Sequence, residues 1–197
     1  MLKSLIMDQG SFPNRKLSLR SDPRMLLFVE AARQFCRLIE ERPASLKTWV
    51  RSLLPALSEL YAYALGLVGI ESVDANDRTL SRFQVTHEEW RSLYHRLSNQ
   101  LGTDAWYWMT FEPMKTQKEK TEPVAGNLAD DLADVYRDVA AGLRAWDTHD
   151  DSLLDEIAFQ WVRGGFEIHW GAHAVDALGI LHRIVMGRML SDPDPNS

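Results

Sequence analysis

His169 and His173 stand four residues apart, and a carboxylate, Asp176, follows three residues later. On a helix, side chains at i and i+4 lie one above the other, so two imidazoles at that spacing can offer ring nitrogens to one metal ion. Asp176 would add a third ligand. With Phe166 at 0° and an advance of ~100° per residue, His169, His173 and Asp176 fall at about 300°, 340° and 280°, a single polar strip with Arg183 close to it. The glutamate that follows the first histidine of the zinc-protease motif is missing, because Trp170 occupies that position. The plainer reading, and the preferred one, is a strip that meets water or hydrogen-bonds to a neighbouring helix.

On the same wheel Glu167 falls near 100° and Arg163 near 60°, roughly inside the sector of Phe166, Trp170, Ala177, Leu181 and Val185. Burying a lone carboxylate is costly, so the sequence predicts an Arg163–Glu167 pair at i, i+4. Such a pair either satisfies itself in the core or lines a polar pocket, where perturbed acids gather. His182 falls in the apolar sector and reads as a core histidine.

Upstream, Asp130, Asp134 and Asp138 repeat at i, i+4, i+8. Stacked carboxylates repel one another, and these lie opposite the Leu132, Val139 and Leu143 stripe. A solvated face is therefore preferred to a cation site, which would need ligands from a second helix. Tyr136 edges the stripe with its hydroxyl expected toward the last helix. The expected binding groove, between the last two helices, consists of Tyr136, Asp138, Arg163, Glu167, His169 and His173.

Other chemistries find no support. The chain lacks the Glu-x-x-His pair of a di-iron bundle, a P-loop, a dinucleotide fingerprint and a Gly-x-Ser-x-Gly elbow. His149-Asp150 imitates a phosphohydrolase motif but falls in a predicted turn. Cys36 reads as a small buried hydrophobe, since no histidine stands near it in sequence.

The elements that must position these residues are helical. Asp22-Pro23 opens a helix with Leu27, Ala31, Phe35 and Leu38 in register, closed by Pro43. Ser45 caps the next, which keeps its period to about Leu67 with a kink or break expected at Pro55. Thr86-His87-Glu88-Glu89 is a capping box, and its helix closes near Gly102. Trp106–Phe111 reads as a short helix or strand plugging the core, and residues 112–125 as a loop. Asn127 caps a helix to Trp146 with Leu128, Leu132, Val135, Val139, Leu143 and Trp146 in phase. From Ser152 a last segment runs to Leu190, bent at Gly164-Gly165 and Gly171 and expected to sit centrally. The expectation is an all-α, single-domain bundle of five or six helices over residues 23–190, with a flexible arm at 1–22 and a disordered tail at 191–197.

The 197 residues are 45% hydrophobic and 25% charged, which excludes global disorder. No apolar run approaches the ~20 residues of a membrane helix. The net charge of −6 disfavours nucleic acid as partner. Residues 127–176 hold eleven acids and three bases, a face suited to a basic partner or a cation, or simply to solubility. One cysteine cannot form an internal disulfide, and Met1–Gly10 lacks a secretory leader, so the cytoplasm is the default.

The run Asp134-Val-Tyr136-Arg137-Asp138 through Gly142-Leu143, followed by Trp161, Arg163, Gly165-Phe166-Glu167, His169-Trp170-Gly171 and His173, resembles a bacterial family of roughly 200-residue helical proteins of unknown function. The resemblance spans about residues 24–190. It implies an all-helical cytosolic protein and suggests that Tyr136, Asp138, Arg163, Glu167, His169 and His173 act together. The leading expectation is a binding or regulatory module for a protein partner or small polar ligand, with no cofactor. The alternative is a metal-dependent hydrolase using His169, His173 and Asp176, aided by an acid from the Asp134 helix.

Overall fold

Four capping side chains set the frame. Asp22, Ser45, Thr86 and Asn127 each accept a hydrogen bond from a first-turn amide, and Thr86 with Glu89 forms the full capping box. The helices they open are α1 (Pro23–Glu40), α2 (Leu46–Leu67), α3 (His87–Leu101) and α4 (Leu128–Trp146). The computed structural model describes residues 19–70, 80–110 and 122–191. Most of the expected arm, the loop at 71–79, residues 111–121 and most of the expected tail lie outside the described residues. Residues 19–21 are helical and Leu19 is buried, while Arg20 stacks on the Trp146 ring.

Pro55 does not interrupt α2. It lies on the exposed face, so the carbonyl it leaves unbonded faces water, while Leu53, Ala56, Leu57 and Leu60 stay buried. Of the expected short helix or strand plugging the core at Trp106–Phe111, the strand holds over Trp106–Thr110 and the plug does not, while Phe111 lies outside the described residues. Trp106–Thr110 is β1, which pairs antiparallel with β2 (Pro123–Asn127), register Trp108 to Ala125. Trp106 and Trp108 are 61% and 77% exposed, so they face outward and do not plug the core. Strand alternation puts Tyr107 on the opposite face, toward the bundle.

The centre of the bundle is α4, not the last helix. Among its residues Leu128, Leu132, Val135, Val139, Leu143 and Trp146 are buried, and so are Asp131, Asp134, Tyr136 and Asp138. It touches α1, α3 and the last helix. Gly142 allows this closeness: a Cβ there would lie 2.1 Å from Trp161 Nε1, whose N–H donates to the Val139 carbonyl at 3.0 Å.

The last segment is three pieces rather than one bent rod. A short α5 (Leu154–Ala158) passes into a π-helix (Phe159–Phe166), then a turn at 167–169, then α6 (Trp170–Ser191). The Glu167 amide bonds the Val162 carbonyl, the i−5 pattern of a π turn. Gly165 suits this winding, since a Cβ would meet the Gln160 carbonyl at 2.2 Å. On α6 the residues Trp170, Ala174, Ala177 and Leu181 are buried, a narrow stripe against α2 and α4. None of the described helices is long and apolar enough to cross a membrane.

Candidate metal centre

The π-helix decides which side chains reach α4. A wheel drawn at ~100° per residue from Phe166 fails on either side of that residue, because Arg163 lies inside the wider π winding and Glu167 in the turn that follows it. Glu167 is therefore exposed, in the turn, where the wheel placed it in the core, and Arg163 is exposed as well. No buried Arg163–Glu167 pair exists among the described residues. His182 is exposed rather than in the core, because the buried stripe of α6 is narrower than the apolar sector drawn on the wheel.

His169, the last residue of the turn, and His173, in the first turn of α6, point at the acidic flank of α4. His169 Nδ1 lies 2.8 Å from Asp138 Oδ2, and His173 Nδ1 lies 2.8 Å from Asp131 Oδ1. A carboxylate can only accept, so each Nδ1–H donates. The Nε2 of each ring then turns toward one oxygen. Asp134 Oδ2 is 3.5 Å from His173 Nε2 and 3.9 Å from His169 Nε2. One ligand atom from each of Asp134, His169 and His173 lies within 4.8 Å of the others.

Asp134 presents Oδ2 because its other oxygen is engaged. Trp90 Nε1–H donates to Oδ1 at 2.9 Å, and Arg137 Nη1 is 3.2 Å from the same atom. Asp131 is held in turn by the Tyr107 hydroxyl, which donates to Oδ2 at 2.6 Å. Every member of the trio thus has an oriented partner on the side away from the point of convergence. Arg137 also approaches His169 Nε2 through Nη2 at 3.5 Å, so that nitrogen accepts from it. Both contacts to His169 are satisfied by the neutral, Nδ1-protonated ring.

The electrostatics follow from crowding. The hydrogen bond to Asp131 raises the His173 pKa above its ordinary value, with burial opposing. Burial, then the Asp134 and Asp131 charges, push the Asp130 carboxyl up. Burial and Asp131 do the same to Asp176. Burial and Asp131 also raise the Tyr107 hydroxyl, which stays protonated as a donor.

The six residues expected in one groove are divided. Asp138, His169 and His173 come together. Tyr136 faces the other way, its hydroxyl donating to Glu40 of α1 at 2.6 Å. On α4 Tyr136 and Asp138 are about 160° apart, on opposite flanks of the apolar stripe. Tyr136 lines instead a separate cleft of about 300 Å³ with Arg33, Arg37, Glu40 and Arg144. Asp176 is not in the ligand trio, and Asp134 stands where it was expected. Nor are Asp134 and Asp138 solvated: with Asp131 they are buried against α6, at i, i+3 and i+7. Asp131, Trp90 and Tyr107 were not foreseen. For Asp131 a signal existed, since it falls about 40° from Val135, at the edge of the apolar stripe.

The chain belongs to the DUF5063 family, a domain of unknown function, whose family model matches residues 21–187. It is similar in structure to protein BF1032 from Bacteroides fragilis, a crystal structure from the Northeast Structural Genomics Consortium. The identity is 24% and the TM-score 0.65, over 85% of this chain and 98% of that one. At that identity the likeness shows the fold. No curated protein matches the chain.

Proposed function

We propose that this DUF5063 domain is a divalent-metal-binding module that carries out metal-assisted hydrolysis, with Asp134, His169 and His173 as the ligands. One observation carries the reading: His169 Nε2, His173 Nε2 and Asp134 Oδ2 converge, while both Nδ1–H groups and Asp134 Oδ1 are held from behind. Metal-bound histidines donate their second N–H to a carboxylate or carbonyl in this way, which fixes the tautomer and the ring. Two nitrogens and one oxygen suit zinc, manganese or iron. Three protein ligands would leave positions for water and substrate, and a bound metal would lower the pKa of water to about 7. Asp130 and Asp176, with carboxyls pushed up by burial, stand beside the trio as candidate proton carriers.

Elemental analysis of protein purified without an affinity tag tests the metal. Stoichiometric zinc, manganese or iron, lost in His173→Ala, is expected. No bound metal and no thermal shift with any divalent ion would overturn the reading. Hydrolysis is tested with the loaded protein on chromogenic phosphate and carboxylate esters. Absence of turnover with each metal that binds would leave a binding module without the activity.

A second reading has its own observation, the cleft around Tyr136. Its three arginines and one hydroxyl suit a small polar ligand, and Tyr136→Phe would weaken that binding without altering metal content.

A further inference from the structure

We propose that Arg137 is the substrate-binding cation of this centre and that the substrate carries an oxyanion, a phosphate or a carboxylate. The inference rests on the metal reading above. It starts from what the guanidinium touches: Nη1 lies 3.2 Å from Asp134 Oδ1, Nε 3.6 Å from Asp138 Oδ1 and Nη2 3.5 Å from His169 Nε2. Two of these contacts are to carboxylate oxygens on the side away from the ligand trio, and they can persist with a metal in place. The third cannot. It uses the lone pair of His169 Nε2, the same pair that a metal ligand must donate.

Metal binding therefore frees the Nη2–H donors and leaves them beside a nitrogen that has become a ligand. They then border the open coordination positions. A planar fork of N–H donors next to a dication is matched by a group with two oxygens, one for each. A neutral carbonyl or amide offers one oxygen and no charge, so it cannot bridge the metal and the fork in this way. The side chain of Arg137 is 34% exposed, against 11% for Asp134, so it stands at the rim where a substrate enters.

Charge makes the binding conditional. Asp131, Asp134 and Asp138 surround the two histidines, and the Arg137 guanidinium touches two of the three, Asp134 and Asp138. An anion approaching this wall alone is repelled. A divalent ion together with Arg137 balances the three carboxylates, so the oxyanion and the metal favour each other's binding reciprocally.

Calorimetry with inorganic phosphate, and separately with acetate, decides the matter. Each is titrated into zinc-loaded protein, EDTA-treated protein, and zinc-loaded Arg137→Gln and Arg137→Lys. Loaded wild type is expected to bind one anion and the EDTA-treated protein none; the arm that binds more tightly names the oxyanion. Arg137→Gln is expected to hold zinc at least as tightly, having lost a competitor for His169 Nε2, and to bind the anion at least tenfold more weakly. Arg137→Lys keeps the charge beside Asp134, loses the fork and is expected to show the same weakening, so it serves if the glutamine variant does not fold. Anion binding unchanged in both loaded variants, or absent from loaded wild type, overturns the inference and leaves the metal reading intact. Wild type that takes up no metal overturns both.

Discussion

Asp138→Asn separates a metal centre from a polar contact between helices. The substitution keeps the shape and can still accept from His169 Nδ1, now at 2.8 Å from a neutral amide rather than a carboxylate. A helix contact would barely notice. A metal ligand loses the negative charge that makes its Nε2 a better donor, and outer partners of this kind are worth about 10–100-fold in metal affinity. With metal at 100 times the wild-type Kd, binding stabilises wild type by about 2.7 kcal/mol. At the same concentration the variant sits at roughly 1–10 times its own Kd, which corresponds to about 0.4–1.4 kcal/mol. For a chain of this length 1 kcal/mol is about 2–4 °C, so the metal-induced rise in Tm should shrink from about 5–11 °C to about 1–6 °C. Differential scanning fluorimetry with and without zinc, on EDTA-treated protein, reads both. Equal rises in the two proteins would refute the claim that Asp138 tunes a ligand. A rise in neither would refute the centre itself.

Gly142→Ala should destabilise the fold by about 1–3 kcal/mol in urea melts, because its methyl would land on the Trp161 indole and displace the bond to Val139. Wild-type stability would argue that α4 and the π-helix are not in this contact. The Asp131 bond raises the His173 pKa above 6.5, so the stability it confers on EDTA-treated protein is complete below that pH and lost as pH rises through the raised value. The urea midpoint of wild type should therefore fall over that window relative to His173→Asn, and a relative rise would contradict the pairing. Cys36 is buried at 6% exposure, and burial pushes its thiol up. It should resist a thiol reagent at pH 8 in the native state and react on unfolding; rapid native labelling would place it at the surface.

The helices were legible because their signals are local. Asp22, Ser45, Thr86 with Glu89, and Asn127 each act within four residues, and each caps the helix that the pattern predicts. The chain's assignment to an all-α fold follows from these caps and the apolar stripes between them. The strands were less legible, since Trp106, Tyr107 and Trp108 are all aromatic and hide the alternation of outward and inward faces that their exposure reveals.

The site was half legible, and the reason is one change of winding. Spacing alone found His169 and His173, because i and i+4 share a face in any α-turn. It placed Glu167 in the core because the wheel assumed unbroken α-helix through Phe166 into α6, where the chain leaves a π winding and turns at 167–169. The error on the acids has the opposite origin. Asp130, Asp134 and Asp138 look like a soluble face when α4 is considered alone, since three carboxylates without partners would not be buried. The histidine partners of the buried acids Asp131, Asp134 and Asp138 lie 31 to 42 residues away, on the far side of the π turn, and Trp90 of α3 and Tyr107 of β1 add two more, so only tertiary packing supplies them. A bundle seeking stability alone would be as well served by apolar residues at these positions, because buried ion pairs recover little more than their desolvation cost. Three acids, two histidines, a tyrosine, a tryptophan and an arginine arranged so that each outer atom is engaged and three inner atoms converge are better explained by a ligand at that point than by packing. Replacing Asp131, Asp134, Asp138, His169 and His173 together by Leu or Met puts that to the test. If packing alone explains them, the variant should melt at or above the temperature of wild type and wild type should bind no metal; if the ligand does, metal uptake should vanish with the substitution.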